Sequence, residues 1–183
     1  IPRKKSTASD FSQQLEQVNF IVSQSKNSIK EFTYIKVNNE ITFDELLVAI
    51  TEKLQPDYKK AILIQEDIKK REKLASQIIP EYDFALLHTR TKGVLKPSFS
   101  ICLTKDLEKF ANPYFSGIHV IIIMLMPEDE HEKENREILG FLSSKLVEDS
   151  DFLTVINRGE KESIRNYMSK ELKNYFNQYL DSL

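Results

Sequence analysis

The stretch IHVIIIMLMP, Ile118 to Pro127, decides how this chain folds. Its nine residues up to Met126 are apolar apart from His119, with no polar residue at alternate positions, which is the pattern of a strand covered on both faces. It is the longest apolar run in the chain and falls well short of the roughly 20 residues a membrane-spanning helix needs. Pro127 closes it. An acidic bend from Glu128 to Glu134 follows, and from it rises a helix with Asn135, Leu139, Leu142 and Leu146 on one stripe and Ile138 beside it. A strand with two apolar faces needs helices above and below. The expected fold is therefore a layered α/β domain with this strand near the centre of its sheet.

Outward from that strand, YDFALLHTRTKGV, Tyr82 to Val94, is a second short apolar segment, entered through Pro80 and left through Gly93. Its length and punctuation suit a strand that reaches its polar end at His88. SFSICLT, Ser98 to Thr104, alternates well enough to be another strand, and Lys105 to Phe115 reads as a loop or short helix carrying Phe110, Tyr114 and Phe115. Earlier in the chain, Phe32 to Val37 reads as a strand ended by Asn38 and Asn39. Thr42 with Glu45 three residues on makes a capping box, opening a helix whose apolar face is Leu46, Leu47, Ile50 and Leu54. Pro56 and Asp57 stop that helix and start another, Tyr58 to near Ala75, which buries Ile62, Leu63 and Ile64 while charges from Glu66 to Lys73 crowd its second half. A first helix, from Asp10 to near Asn27, repeats Phe11, Leu15, Val18 and Val22 at intervals of three and four, and two readings stay open for it: packing on this domain or on a neighbour outside it. At the other end, Asp149 to Asp151 cap the apolar segment Phe152 to Ile156, Arg158 and Gly159 turn it, and a last helix from Glu160 to near Leu180 faces Ile164, Tyr167, Met168, Leu172, Phe176 and Leu180 inward.

The 183 residues fit one domain with an appended helix or linker: residues 1–30 as linker and N-terminal helix, 31–183 as the layered domain. A net charge of −2, from 26 basic and 28 acidic residues, leaves no global footprint for nucleic acid. The single cysteine, Cys102, excludes an intramolecular disulfide framework and suits a reducing cytoplasm. No signal or membrane-spanning segment is read. The chain opens at Ile1 on the basic, unpatterned Pro2 to Thr7, which reads as a fragment cut at a linker, although a trimmed terminus would look the same.

Chemistry centres on His88. A neutral imidazole is a nucleophile near pH 7, and Thr89, Arg90 and Thr91 beside it are donors suited to an anion's oxygens. The functional reading is a phosphoryl acceptor. From this stretch alone the plainer reading is favoured, a strand-end histidine that makes one hydrogen bond. His119 begins the central strand and reads as a packed or water-bonded ring. His131 lies among Glu128, Asp129, Glu130, Glu132 and Glu134, which would raise its pKa and hold it as a surface cation. Three histidines this scattered make no metal motif, the four glycines make no phosphate loop, and Cys102 has the setting of a buried, inert thiol. No cofactor is expected. Asn135 falls on an inward stripe where an apolar residue would be the default, so it either caps its helix or serves a site.

With His88, Arg71 and Asn135 in view, the chain resembles the enzyme IIA domain of the mannitol/fructose class in the bacterial phosphoenolpyruvate-dependent sugar phosphotransferase system. That family has an Arg-Glu pair on a helix and, further on, a short apolar segment ending in Pro-His, the acceptor histidine. Here the pair is Arg71-Glu72, and His88 follows seventeen residues after the arginine. The family then has an apolar strand ending in proline and a Glu-His pair opening a helix. This chain has Ile121 to Pro127, then Glu134-Asn135 with Ile138 and Leu139 behind. Leu87 stands in place of the proline, and Asn135 in place of the second histidine. An amide can donate a hydrogen bond but cannot titrate near neutrality.

The resemblance covers Ile41 to Tyr179 and implies a mixed, mostly parallel sheet flanked by helices. It implies His88 as phospho-acceptor with Arg71 and Asn135 beside it, while Thr89 and Arg90 are the nearest local donors to support the phosphate. Its departures look more like the enzyme IIA-like domains at the C-terminus of phosphotransferase-regulated transcription antiterminators and activators. The domain would then be a phosphoryl acceptor rather than a turnover enzyme, phosphorylated by the phosphocarrier HPr or through a sugar-specific enzyme IIB and acting on upstream regulatory domains. It would make no nucleic-acid contact of its own. Phe110, Tyr114 and Phe115 read first as core rings, with an apolar rim that accepts the donor protein as the second reading. A carrier subunit of a sugar transporter and a degenerate interaction domain that never carries phosphate remain as alternatives, and dimerisation stays open.

Overall fold

The computed structural model describes residues 8–37, 41–75, 78–79, 84–104, 118–148 and 150–181. Its elements are α1 (Ala8–Lys30), β1 (Thr33–Val37), α2 (Phe43–Leu54), α3 (Tyr58–Leu74), β2 (Ile78–Ile79), β3 (Phe84–Thr91), β4 (Ser98–Thr104), β5 (Val120–Pro127), α4 (Glu132–Glu148), α5 (Ser150–Arg158) and α6 (Lys161–Asp181). The strands form one sheet in the order β1-β4-β5-β3-β2. β5 is its middle strand, and all eight of its residues are buried, as its two apolar faces require. The sheet is mixed. Parallel ladders join β1 to β4 and β3 to β5, with five and eight registered pairs, against six and two in the antiparallel ladders β4·β5 and β2·β3.

Strand alternation splits the core in two. Leu86, Ile101, Ile122 and Met124 face α1, α4, α5 and α6, meeting Ile29, Ile138, Phe141, Ile156, Ile164 and Phe176. Ala85, Leu87, Cys102, Ile121 and Ile123 face α2 and α3, meeting Leu46, Leu47, Ile50, Ile64 and Ile68. Helices therefore cover both faces.

Local chemistry sets the boundaries near the site. At α2 the Thr42 hydroxyl accepts from Glu45 N at 3.1 Å while Glu45 Oε2 accepts from Thr42 N at 3.0 Å, the reciprocal capping box. At α3 the Asp57 carboxylate accepts from Lys59 N and Lys60 N. The face that α3 buries is Ala61, Ile64 and Ile68, one step round from the expected Ile62 and Leu63, which are only partly covered. Ile64 and Ile68 pack with α2 and the sheet, and the turn after β3 comes so close that a Cβ on Gly93 would meet Ile64 and the Lys60 carbonyl. Helix α1 is half in and half out of the fold. Ala8 to Gln17 are exposed, including Phe11 and Leu15, whereas Val18, Ile21, Ser25, Ser28 and Ile29 are buried and the helix packs on α4 and α6.

The short β2 was not anticipated, since two residues carry no periodicity. Lys105 to Phe115, with Phe110, Tyr114 and Phe115, lies outside the described residues, as do Pro80, Tyr82, the basic start of the chain and the side chains of Leu142, Leu146 and Leu180.

Candidate functional site

His88 was expected at the polar end of a strand. It is instead the fifth of eight residues in β3, because backbone pairing with β5 continues through His88↔Met124, Arg90↔Met126 and Thr91↔Pro127. Ladder bonds are made by the main chain, so a change in side-chain polarity does not end a strand. Alternation then places His88 and Arg90 on the face of Leu86, towards α4. Since β3 and β5 run parallel, the chain leaving β5 turns at Glu128–Glu130 and starts α4 beside that same half of β3.

A pocket of about 340 Å³ opens there, lined by Arg71, His88, Thr89, Arg90, Met126, Glu132, Asn135, Arg136 and Leu139. Five of these, Arg71, His88, Thr89, Arg90 and Asn135, are the residues singled out in the sequence. Arg71 belongs to α3, which covers the opposite face of the sheet. Among the described residues β2 pairs only with Phe84 and Ala85 of β3, and the last turn of α3 brings Arg71 into the lining of the pocket. The neighbouring Lys69 has another task, pairing with Asp44 of α2 at 3.0 Å.

The half-buried His88 ring has its pKa pushed below the ordinary 6.5, first by burial and next by the Arg71 guanidinium. A backbone hydrogen bond at Leu86 and the charge of Glu72 pull the other way without prevailing. The imidazole is thus held neutral at pH 7, the state in which a ring nitrogen is nucleophilic. Asn135 is 3% exposed. Its Nδ2 donates to Asp129 Oδ1 at 3.1 Å, and that same oxygen accepts from His131 N at 2.9 Å, so the bend before α4 holds the amide in place. The amide oxygen of Asn135, Oδ1, is buried without a partner among the described residues. The Thr89 hydroxyl donates to the Arg90 carbonyl oxygen at 3.2 Å.

Glu132, Arg136 and Met126 were not foreseen as site residues. Glu132 Oε1 lies 3.5 Å from Arg90 Nη1 and 3.9 Å from Arg136 Nη2. The signal in the sequence was the Glu-Arg spacing of four, which on a helix puts both side chains on one face together with the Asn135 stripe. His131 lies outside the pocket: its ring stacks on Phe20 of α1, with centroids 4.1 Å apart, and its Nε2 is 3.7 Å from Glu130. His119 Nε2 sits 2.7 Å from Asn157 Oδ1. Cys102 is fully buried, and burial pushes its thiol up to about 12, which makes it inert. Among the described residues no cluster of three or more His, Cys, Asp or Glu is placed to hold a metal, and no helix is long and apolar enough to cross a membrane.

A half-buried histidine on a sheet, flanked by guanidinium groups and a braced amide, is an arrangement suited to accepting an anion. Residues 28–171 match the profile of the family described as phosphoenolpyruvate-dependent sugar phosphotransferase system, EIIA 2. The chain belongs to that family. Over 143 residues it is 22% identical to the "Putative transcriptional regulator MtlR" of Streptococcus mutans, a match that takes in 78% of this chain and 22% of that protein. The chain thus spans under a quarter of its relative's length. Among solved structures, the crystal structure of nitrogen regulatory protein IIA-Ntr from Neisseria meningitidis superposes with a TM-score of 0.54 at 22% identity, covering 75% of this chain and 91% of that one. The EIIA fold is therefore reached from both sequence and architecture.

Proposed function

We propose that this EIIA domain is the phosphohistidine-accepting module of a sugar-responsive bacterial transcriptional regulator, with His88 as acceptor. The observation that carries the reading is the convergence of a neutral His88 with Arg71, Arg90 and Asn135 in one pocket, although they come from three separate elements. Kinship with a protein named as a regulator favours the regulatory role over the transporter subunit.

In the transfer, the phosphohistidine of a small donor protein such as HPr presents phosphorus in line with a ring nitrogen of His88. The lone pair of His88 forms the new N–P bond as the donor's N–P bond breaks, and the donor ring keeps that electron pair. No oxidation occurs. Arg71 supplies a planar, bidentate grip on the equatorial oxygens, and Arg90 a second positive charge. Arg71 also acts before transfer, because the same charge helps keep the ring unprotonated. Asn135, braced by Asp129, orients the acceptor ring or the incoming group with an amide that does not titrate. The bound group brings roughly two negative charges at neutral pH. On a chain of net charge −2 this changes which surface upstream domains or partners prefer. A cytoplasmic location follows from the donors, and no metal or cofactor enters the chemistry.

Incubation with phosphoenolpyruvate, enzyme I and HPr, followed by intact-mass measurement, tests this. The expected result is an acid-labile gain of one phosphoryl group that is absent in His88→Ala; no gain in the wild-type chain leaves a degenerate interaction domain. Onward transfer to an enzyme IIB would instead mark a transporter carrier. Asn135→Ala should slow transfer roughly tenfold, the worth of one hydrogen bond, while sparing the fold. Unchanged kinetics would remove Asn135 from the site.

A further inference from the structure

Among the described residues, the pocket holds one carboxylate beside its guanidinium groups, and phosphoryl transfer by itself has no use for it. Glu132 opens α4, where the helix dipole alone would favour an acidic residue. Its oxygen nevertheless reaches across to Arg90 of β3 at 3.5 Å, as well as to Arg136 one turn along its own helix at 3.9 Å. Arg90 lies two residues from His88 on the same face of the strand, so one of the cations lining the pocket is already engaged by an internal anion. A carboxylate and a phosphate competing for one guanidinium, within a few ångströms of each other, repel as well as exclude one another.

We propose that Glu132 is a built-in stand-in for phosphate. It occupies Arg90 and Arg136 while His88 is bare, and yields Arg90 when a phosphoryl group is bonded to His88. The consequence is an anion filter. Free inorganic phosphate must displace Glu132 at its bulk concentration, whereas a phosphoryl group tethered to the ring competes at a far higher effective concentration. The pocket then responds to delivery by a phosphoprotein and ignores the surrounding pool of small anions. This regulation rests on the acceptor reading of the site given above.

The test titrates inorganic phosphate into the 183-residue chain, following the His88 ring resonances by NMR, in wild type, Glu132→Gln and Glu132→Gln/Arg90→Gln. Because Glu132 is half exposed, its substitution leaves the core untouched. Glu132→Gln should bind phosphate roughly tenfold more tightly, from a relieved like-charge contact and a freed guanidinium. The double variant should lose that gain. Equal affinity in wild type and Glu132→Gln, or a gain that survives removal of Arg90, overturns the proposal. The two readings fail separately. A mass gain from phosphoenolpyruvate, enzyme I and HPr without any effect of Glu132→Gln on phosphate binding keeps the acceptor and removes the stand-in. Tighter phosphate binding by Glu132→Gln without a mass gain keeps the stand-in and removes the acceptor.

Discussion

Replacing Gly93 by alanine would set a methyl carbon 2.4 Å from Ile64 Cγ1 and 2.9 Å from the Lys60 carbonyl oxygen. Neither neighbour can give way cheaply. Ile64 is fully buried among the residues between α3 and the sheet, and Lys60 presents backbone in the first turn of α3. Gly93 is itself held from both sides: its N–H donates to Thr91 Oγ1 at 3.0 Å, and its carbonyl accepts from Gln55 Nε2 at 2.8 Å. Relief therefore means moving α3 outward. Overpacking of this kind costs roughly 1–3 kcal/mol. Alanine's smaller unfolded-state freedom offsets roughly 0.4–1 kcal/mol of that. The net loss of about 1–2 kcal/mol corresponds to a Tm lowered by roughly 2–8 °C for a chain of this size. Calorimetry on Gly93→Ala, Ile64→Ala and the double variant reads it directly. The double variant should be more stable than the sum of the single losses implies, since the shortened side chain vacates the space the new methyl needs. Arg71 stands seven residues, about two helical turns, beyond Ile64, so the same displacement should also slow phosphorylation of His88. A Tm within about 1 °C of wild type would refute the close packing of this turn on α3.

Three further outcomes are expected. The NMR titration midpoint of His88 should lie below 6.5, and Arg71→Gln should raise it only part of the way back, because burial is the larger cause; an unmoved midpoint would mean the Arg71 charge acts elsewhere. The sign of the linkage follows: the unfolded ring takes up a proton more readily than the folded one, so this group's contribution to stability is lost as pH falls through 6.5 toward the folded value. Thr42→Ala removes the side-chain acceptor for Glu45 N and should cost about 1 kcal/mol in a denaturant melt, with no effect on phosphorylation rate. Cys102, its thiol pushed up to about 12, should resist a thiol reagent at pH 8 until the chain is unfolded, and rapid modification of the native protein would contradict its burial.

Much of the architecture could be read from local patterns because those patterns are local in origin. The doubly apolar run became the middle strand, the Thr42–Glu45 box opened α2, and Asp57 capped α3, each through interactions between residues a few positions apart. Where His88 sits along β3 was misjudged for the same reason: polarity is a property of side chains, while the length of the strand was decided by pairing with a partner 36 residues downstream, His88 against Met124.

The amino-acid sequence by itself determined the element order, the two apolar faces of β5, the buried cysteine and the one histidine in a setting fit for a nucleophile. Only the tertiary structure decided that Arg71, within a run of charges, lines the pocket while Lys69 pairs with Asp44, and that Glu132 of α4 meets Arg90 of β3. Periodicity tells which face of an element is buried. It does not tell which elements lie side by side, and that followed from the strand order β1-β4-β5-β3-β2.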